Sequence, residues 1–173
     1  METIEYEGET YTRRNSKWVD SRSIVAYEIL QRILNRLYLE QLDYSQYSTS
    51  ELVAEGDKFK ESSSYASAIS FYEKALEDCD EVTHKYILPR ITSCYRKNNM
   101  PRKVIDLFTE TKSKYGTSFI TPVLLTSVAA AYCDLKEYEN AMRCCKWAYK
   151  TYGGFNHELS AVYGRIKTES GLE

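Results

Sequence analysis

The stretch GDKFKESSSYASAISFYEKA, residues 56–75, decides the reading of this chain, because its pattern returns twice. Its anchors are Gly56, Phe59, Tyr65, Ala68, Tyr72 and Ala75, with steps of 3, 6, 3, 4 and 3 residues. Residues 129–148, AAAYCDLKEYENAMRCCKWA, place Ala129, Tyr132, Tyr138, Ala141, Cys145 and Ala148 at the same steps. Between them, Thr92, Tyr95, Pro101, Val104, Phe108 and Thr111 keep the steps with bulkier residues in the small slots. The aromatic anchors Phe59, Tyr95 and Tyr132 are offset by 36 and then 37 residues. Self-similarity at this period marks a helical repeat array. The steps of 3 and 4 keep residues on one helix face, and the step of 6 crosses a turn. Gly56 opposite Ala68, and Ala129 opposite Ala141, let two helices approach closely, while the aromatics fill the wedge between hairpins.

The pattern resembles the tetratricopeptide repeat family over about residues 49–155. The first and third units carry its small and aromatic slots well. The second departs from it at Thr92, Val104 and Thr111, and the third has Cys145 where an aromatic is usual. The resemblance implies an all-α fold with three stacked helical hairpins, at 49–84, 85–120 and 121–155, and capping helices at either end. Gly116 and Gly153-Gly154 fall where helices should stop, and Thr121-Pro122 is a start signal. Asn156 is placed to cap a last helix with a stripe of Leu159, Val162, Tyr163 and Ile166, within a C-terminal cap and tail at 156–173.

Ahead of the repeats the chain reads differently. Ile4 and Tyr6 alternate with polar residues, Glu7-Gly8 and Asn15-Ser16 are turn signals, and Trp18-Val19 follows. That predicts a β-hairpin or three-stranded meander over 1–22. An amphipathic helix is expected from Ile24 to about Asp43, capped by Ser21 or Ser23, with a Ser/Tyr-rich linker to about residue 48.

Composition narrows the function. The net charge is −2 and the pI about 5.8, which argues against a general nucleic-acid or anionic-membrane binder. No apolar run is long enough to span a membrane, and the acidic start lacks the features of a signal peptide. Five cysteines, with no C-x-x-C pair, sit in apolar helical patterns and suit a reducing, cytoplasmic setting. Neither His84 nor His157 stands at metal-ligand spacing from a cysteine pair, so no metal and no cofactor is expected. Both histidines read as exposed helix-terminal residues, and no catalytic motif is present. The adjacent Cys144-Cys145 reads as one core and one half-exposed thiol rather than a redox switch.

A non-enzymatic protein-interaction module, an adaptor holding a peptide or protein in a concave groove, is therefore the expected function. In the family the first helix of each hairpin lines that groove. Carried over, those positions include Asp57 and Lys60 in the first unit, Tyr86, Arg90, Ser93, Arg96 and Lys97 in the second, and Thr126 in the third. Tyr86, Arg90, Ser93 and Lys97 share a helix face that suits an acidic or carboxylate-bearing peptide. The Lys and Asn set with which some family members hold a chaperone's C-terminal carboxylate is absent, since Val53, Ala54 and Asp57 occupy its slots. Two alternatives stand beside this reading. One is a secretion-type chaperone for a hydrophobic substrate. The other is a nucleic-acid-associated regulator using Tyr6, Tyr11, Arg13, Arg14, Lys17 and Trp18, although a meander this small favours Trp18 and the tyrosines packing onto the first helices as its anchors. The abundance of tyrosine leaves a homodimer open.

Overall fold

Two pairs of residues with positive φ turn the N-terminal chain back on itself. Glu7-Gly8 (φ 51° and 81°) and Asn15-Ser16 (φ 48° and 62°) are two-residue loops of the kind that match strand twist. They join β1 (Thr3–Tyr6), β2 (Glu9–Arg14) and β3 (Lys17–Val19) into an antiparallel sheet of order β1-β2-β3. The computed structural model describes residues 2–171, and the chain divides into two units, Met1–Asp80 and Glu81–Glu173.

In the first unit, α1 (Glu28–Gln41), α2 (Thr49–Glu61) and α3 (Tyr65–Glu77) follow the sheet. Trp18 is fully buried, and its indole N–H donates to Asn35 Oδ1 at 2.8 Å, so its one polar atom is satisfied inside the core. Rings then run from Trp18 to Tyr38 (5.8 Å), Phe59 (6.4 Å) and Phe71 (5.4 Å). The Arg13 guanidinium lies 4.0 Å from the Phe59 ring centre and pairs with Glu2 at 2.9 Å and Glu55 at 3.4 Å. One buried cation thus ties the sheet to α2 through stacking and charge together. Ser48 caps α2 in a reciprocal capping box with Glu51.

The expected helix from Ile24 begins instead at Glu28. Val25 pairs with Val19 in an antiparallel bridge, so Ile24–Ala26 continue the sheet. Neither Ser21 nor Ser23 caps α1. Asp20 organises the bend by accepting from the N–H groups of Arg22 and Ile24, and Tyr27 occupies the N-cap position. β-Branched Ile24 and Val25 beside an open strand edge favour pairing over helix.

The α2–α3 hairpin shows why Gly56 stands where it does. A Cβ there would lie 2.7 Å from Cε1 of Tyr72. Tyr72 is fully buried and donates its hydroxyl to Asp57, so the ring has no room to yield.

The second unit holds α4 (Glu81–Lys97), α5 (Pro101–Tyr115), α6 (Pro122–Asp134), α7 (Tyr138–Tyr152) and α8 (His157–Ser170). Its start and stop signals act as read. Thr121 accepts from Leu124 N–H at 3.2 Å, Asn156 accepts from Leu159 N–H at 2.8 Å, and Gly116 and Gly153 follow helix ends with φ of 77° and 73°. α6 is the central helix and contacts α4, α5, α7 and α8. Ala129 and Ala141 are fully buried where α6 and α7 pack closely along their length. Leu159 and Ile166 of α8 close the end of this core.

Candidate functional site

Three cations meet on one side of the second unit. Ser93, Arg96 and Lys97 of α4, Asn99 and Pro101 of the following turn, Asp134 at the end of α6 and Arg165 of α8 line an open cavity of about 470 Å³. The α4 residues arrive together because steps of 3 and 4 residues repeat one helix face. Pro101, at the first position of α5, turns the chain so that Asn99 and Pro101 complete the wall.

Asp134 is the hub. Its carboxylate accepts from Arg96 Nε at 2.9 Å and from Arg165, which also donates to Glu169 Oε1 at 2.7 Å. Burial works against ionising Asp134, but the hydrogen bonds from Arg96 and Arg165 outweigh it and hold the carboxyl below its ordinary value. Bonds to Glu169 and Asp134 raise Arg165 in turn, so it stays charged throughout the accessible pH range. The network fixes both guanidinium groups in place with part of their donor sets committed. Each guanidinium has five N–H donors, more than these contacts consume.

Ser93, Arg96 and Lys97, read from sequence as partner-contacting residues, are thus brought together. Tyr86 and Arg90 lie earlier on α4. Arg90 folds back over the Tyr86 ring at 3.5 Å and donates to the Tyr86 carbonyl at 3.0 Å, next to Pro89, which has no N–H to offer the helix. Thr126 is buried, and its hydroxyl donates to the Pro122 carbonyl at 3.0 Å within α6, so it is not presented to a partner. Asp57 and Lys60 belong to α2 in the first unit, where Asp57 accepts from Tyr72.

Asp134 and Arg165 were missed. A signal existed for Asp134, which follows Tyr132 as Lys97 follows Tyr95 in the repeat register. Arg165 gave only its i,i+4 relation to Glu169, which is ordinary on a solvated helix.

Two sequence expectations are corrected by burial. His84 is not an exposed helix-end residue. It is buried against Tyr115 (5.0 Å) and Phe119 (5.6 Å), because the α4 face it shares with Ile87, Leu88 and Ile91 turns inward. Tyr11 and Trp18 of the basic and aromatic N-terminal set are core residues and Arg13 is held internally, in keeping with the expectation that these residues anchor the small meander. Cys144 is buried together with Cys145, and burial pushes their thiols up to about 11 and about 12. Neither is a thiolate at neutral pH. Among the described residues no group of His, Cys, Asp and Glu has metal-binding geometry, and no helix is long and apolar enough to cross a membrane.

The architecture has a counterpart of known structure. The crystal structure of the Sgt2 TPR domain from Aspergillus fumigatus superposes with a TM-score of 0.60 at 17% identity, covering 71% of this chain and 79% of that one. At that identity the likeness establishes the fold, which is that of a tetratricopeptide-repeat domain preceded by a small antiparallel sheet. No protein-family model matches the sequence, and no curated protein sequence is significantly similar to it.

Proposed function

We propose that this protein is a non-enzymatic interaction module, and that its second unit holds an acidic or carboxylate-bearing peptide of a partner protein. The carrying observation is the cavity that gathers Arg96, Lys97 and Arg165 around the single carboxylate Asp134 among its lining residues. Asp134 neutralises part of the charge and orients two planar donors, leaving a net positive, pre-organised rim. Charge-assisted hydrogen bonds from fixed guanidinium groups are stronger than neutral ones and select carboxylates by shape. Ser93 and Asn99 add neutral donors that suit a peptide backbone. A cytoplasmic location suits five cysteines, four of which are buried free thiols.

The test is fluorescence anisotropy with a labelled peptide rich in Asp and Glu. Its controls are a C-terminally amidated form, a Lys-rich peptide, and the Lys97→Glu variant. Losing one charge-assisted contact of about 1.5–3 kcal/mol should weaken binding by roughly 10-fold or more, with the effect shrinking at high salt. Equal binding of acidic and basic peptides, or of wild type and Lys97→Glu, would remove this reading.

A further inference from the structure

The second surface lies in the first unit, on the edge of the sheet. β3 does not end in solvent. The Asp20 N–H donates to the Ile24 carbonyl at 3.0 Å and the Ala26 N–H donates to the Trp18 carbonyl at 2.9 Å. These two bonds flank the Val19–Val25 pair, which makes it a non-hydrogen-bonded pair. The N–H and C=O of Val25 therefore point away from β3, and neither makes a hydrogen bond among the described residues. Where the two segments diverge, Gln31 fills the gap, accepting from Trp18 N–H at 2.9 Å and donating to the carbonyls of Trp18 at 2.7 Å and Ala26 at 3.2 Å.

The inner side of residues 24–26 is thus fully engaged, and the outer side is open. Edge strands are usually protected by charge, proline or cover. This one instead carries apolar side chains. Ile24, Val25, Tyr27 and Ile29, four large residues within six positions, are each more than half exposed. Charges stand only at its ends. Arg22 lies three residues before Val25 and pairs with Asp20 at 3.0 Å, and Glu28 lies three residues after and pairs with Arg32 at 2.6 Å, yet their side chains remain 71% and 80% exposed.

That arrangement is self-complementary. We infer that two copies of this chain join edge to edge, antiparallel, about a two-fold axis at Val25. The Val25 N–H of each copy then donates to the Val25 C=O of the other, satisfying both open backbone groups. The same axis brings the Arg22 end of each copy to the Glu28 end of its partner, whereas parallel pairing would bring like end to like end. Ile24, Tyr27 and Ile29 are removed from water on either side of the seam. This contact is isologous and closes at two copies.

Sedimentation across a concentration series is the test, with three variants. Val25→Pro removes the outward N–H and keeps both inner bonds, because neither uses Val25 as donor or acceptor. It should remain folded by circular dichroism and raise the dimer dissociation constant by about 10-fold or more. Arg22→Glu should weaken the dimer by several-fold, and Arg22→Glu combined with Glu28→Arg should restore it, which loss of folding could not do. Amide exchange at Val25 should slow as the wild-type concentration rises. A wild type that stays monomeric to about 100 µM, where even a weak specific contact would be seen, overturns the inference. So does a dimer that Val25→Pro leaves intact. Failure of the double exchange to restore a dimer lost in Arg22→Glu overturns the two-fold register. An extended peptide captured at this edge by a wild type that does not self-associate would assign the edge to a different partner.

Discussion

The hairpins α6–α7 and α4–α5 differ in how they are held closed. In α6–α7, Ala129 and Ala141 are fully buried and the helices meet along their whole length. In α4–α5 the matching positions are Thr92 and Val104, and the helices approach over a shorter stretch. Its free end is closed by side chains instead. Tyr115 and Phe119 stack at 4.4 Å, His84 packs edge-on to both, and Lys85 lies 4.3 Å from the Phe119 ring centre. Small residues close one hairpin by backbone proximity, while a ring cluster closes the other. The looser hairpin is also the one that supplies Ser93, Arg96 and Lys97 to the cationic cavity.

If the ring cluster closes α4–α5, removing it should cost most. Phe119 is only 3% exposed, and Phe119→Ala is expected to destabilise the second unit by about 3–5 kcal/mol through lost burial and the cavity left behind. Hydrogen exchange in urea, resolved to the amides of α4 and α6, would read this directly. Protection lost equally by a substitution on the far side of α7, and not by this one, would break the comparison.

The tight hairpins should fail by overfilling. Gly56→Val places a branched side chain where even a Cβ would be 2.7 Å from the Tyr72 ring, and should cost about 1–3 kcal/mol or somewhat more. Thr92 stands at the same register in the looser hairpin. Thr92→Val loses only a hydroxyl shared between the carbonyls of Leu88, 2.8 Å, and Pro89, 3.3 Å, and should cost about 1 kcal/mol. Paired urea titrations would show whether one repeat position really has two tolerances.

Much of this contrast was legible in the sequence. The repeat spacing predicted helical hairpins in this order, though α4 begins at Glu81, inside the span 49–84 read as the first of them, and Thr92, Val104 and Thr111 marked the second as irregular. The turn pairs Glu7-Gly8 and Asn15-Ser16 placed the three strands. What could not be read was the outcome of competition between elements. Ile24 and Val25 fit a helical pattern, but an open β3 edge lay within reach and took them. His84 looked polar and terminal, yet a looser hairpin needed a flat ring to fill its end. The cavity was half legible, because Ser93, Arg96 and Lys97 lie on one helix, whereas Arg165 reaches it through tertiary packing that no local pattern encodes.

The His84 ring should make the looser hairpin sensitive to acid. Burial lowers its pKa from the ordinary value near 6.5, Lys114 lowers it further, and Glu110 opposes them. The folded state therefore binds this proton less readily than the unfolded chain. The stability contribution is fully present above about pH 6.5 and is lost as pH falls through the folded-state value. His84→Phe, which keeps a flat ring against Tyr115 and Phe119, should remove this part of the pH dependence. Urea midpoints between about pH 7.5 and 5.5 would compare the two chains. Parallel slopes would mean that other groups govern the acid response.

The smallest expected effect has the opposite sign. Thr111 of α5 stands at the register of Ala75 and Ala148, is 1% exposed, and its hydroxyl has no hydrogen-bond partner among the described residues. An unpaired buried hydroxyl is a cost, and replacing it with a methyl of similar size removes that cost while keeping the packing. Thr111→Val should therefore stabilise the second unit by about 1 kcal/mol. Thr111→Ala also removes the hydroxyl but leaves a gap in a hairpin that already approaches poorly, and it should gain less. If alanine gained more than valine, the helices would have closed onto the smaller side chain. The wide spacing of α4 and α5 would then be caused by Thr111 itself, and the ring cluster would be a consequence of that spacing.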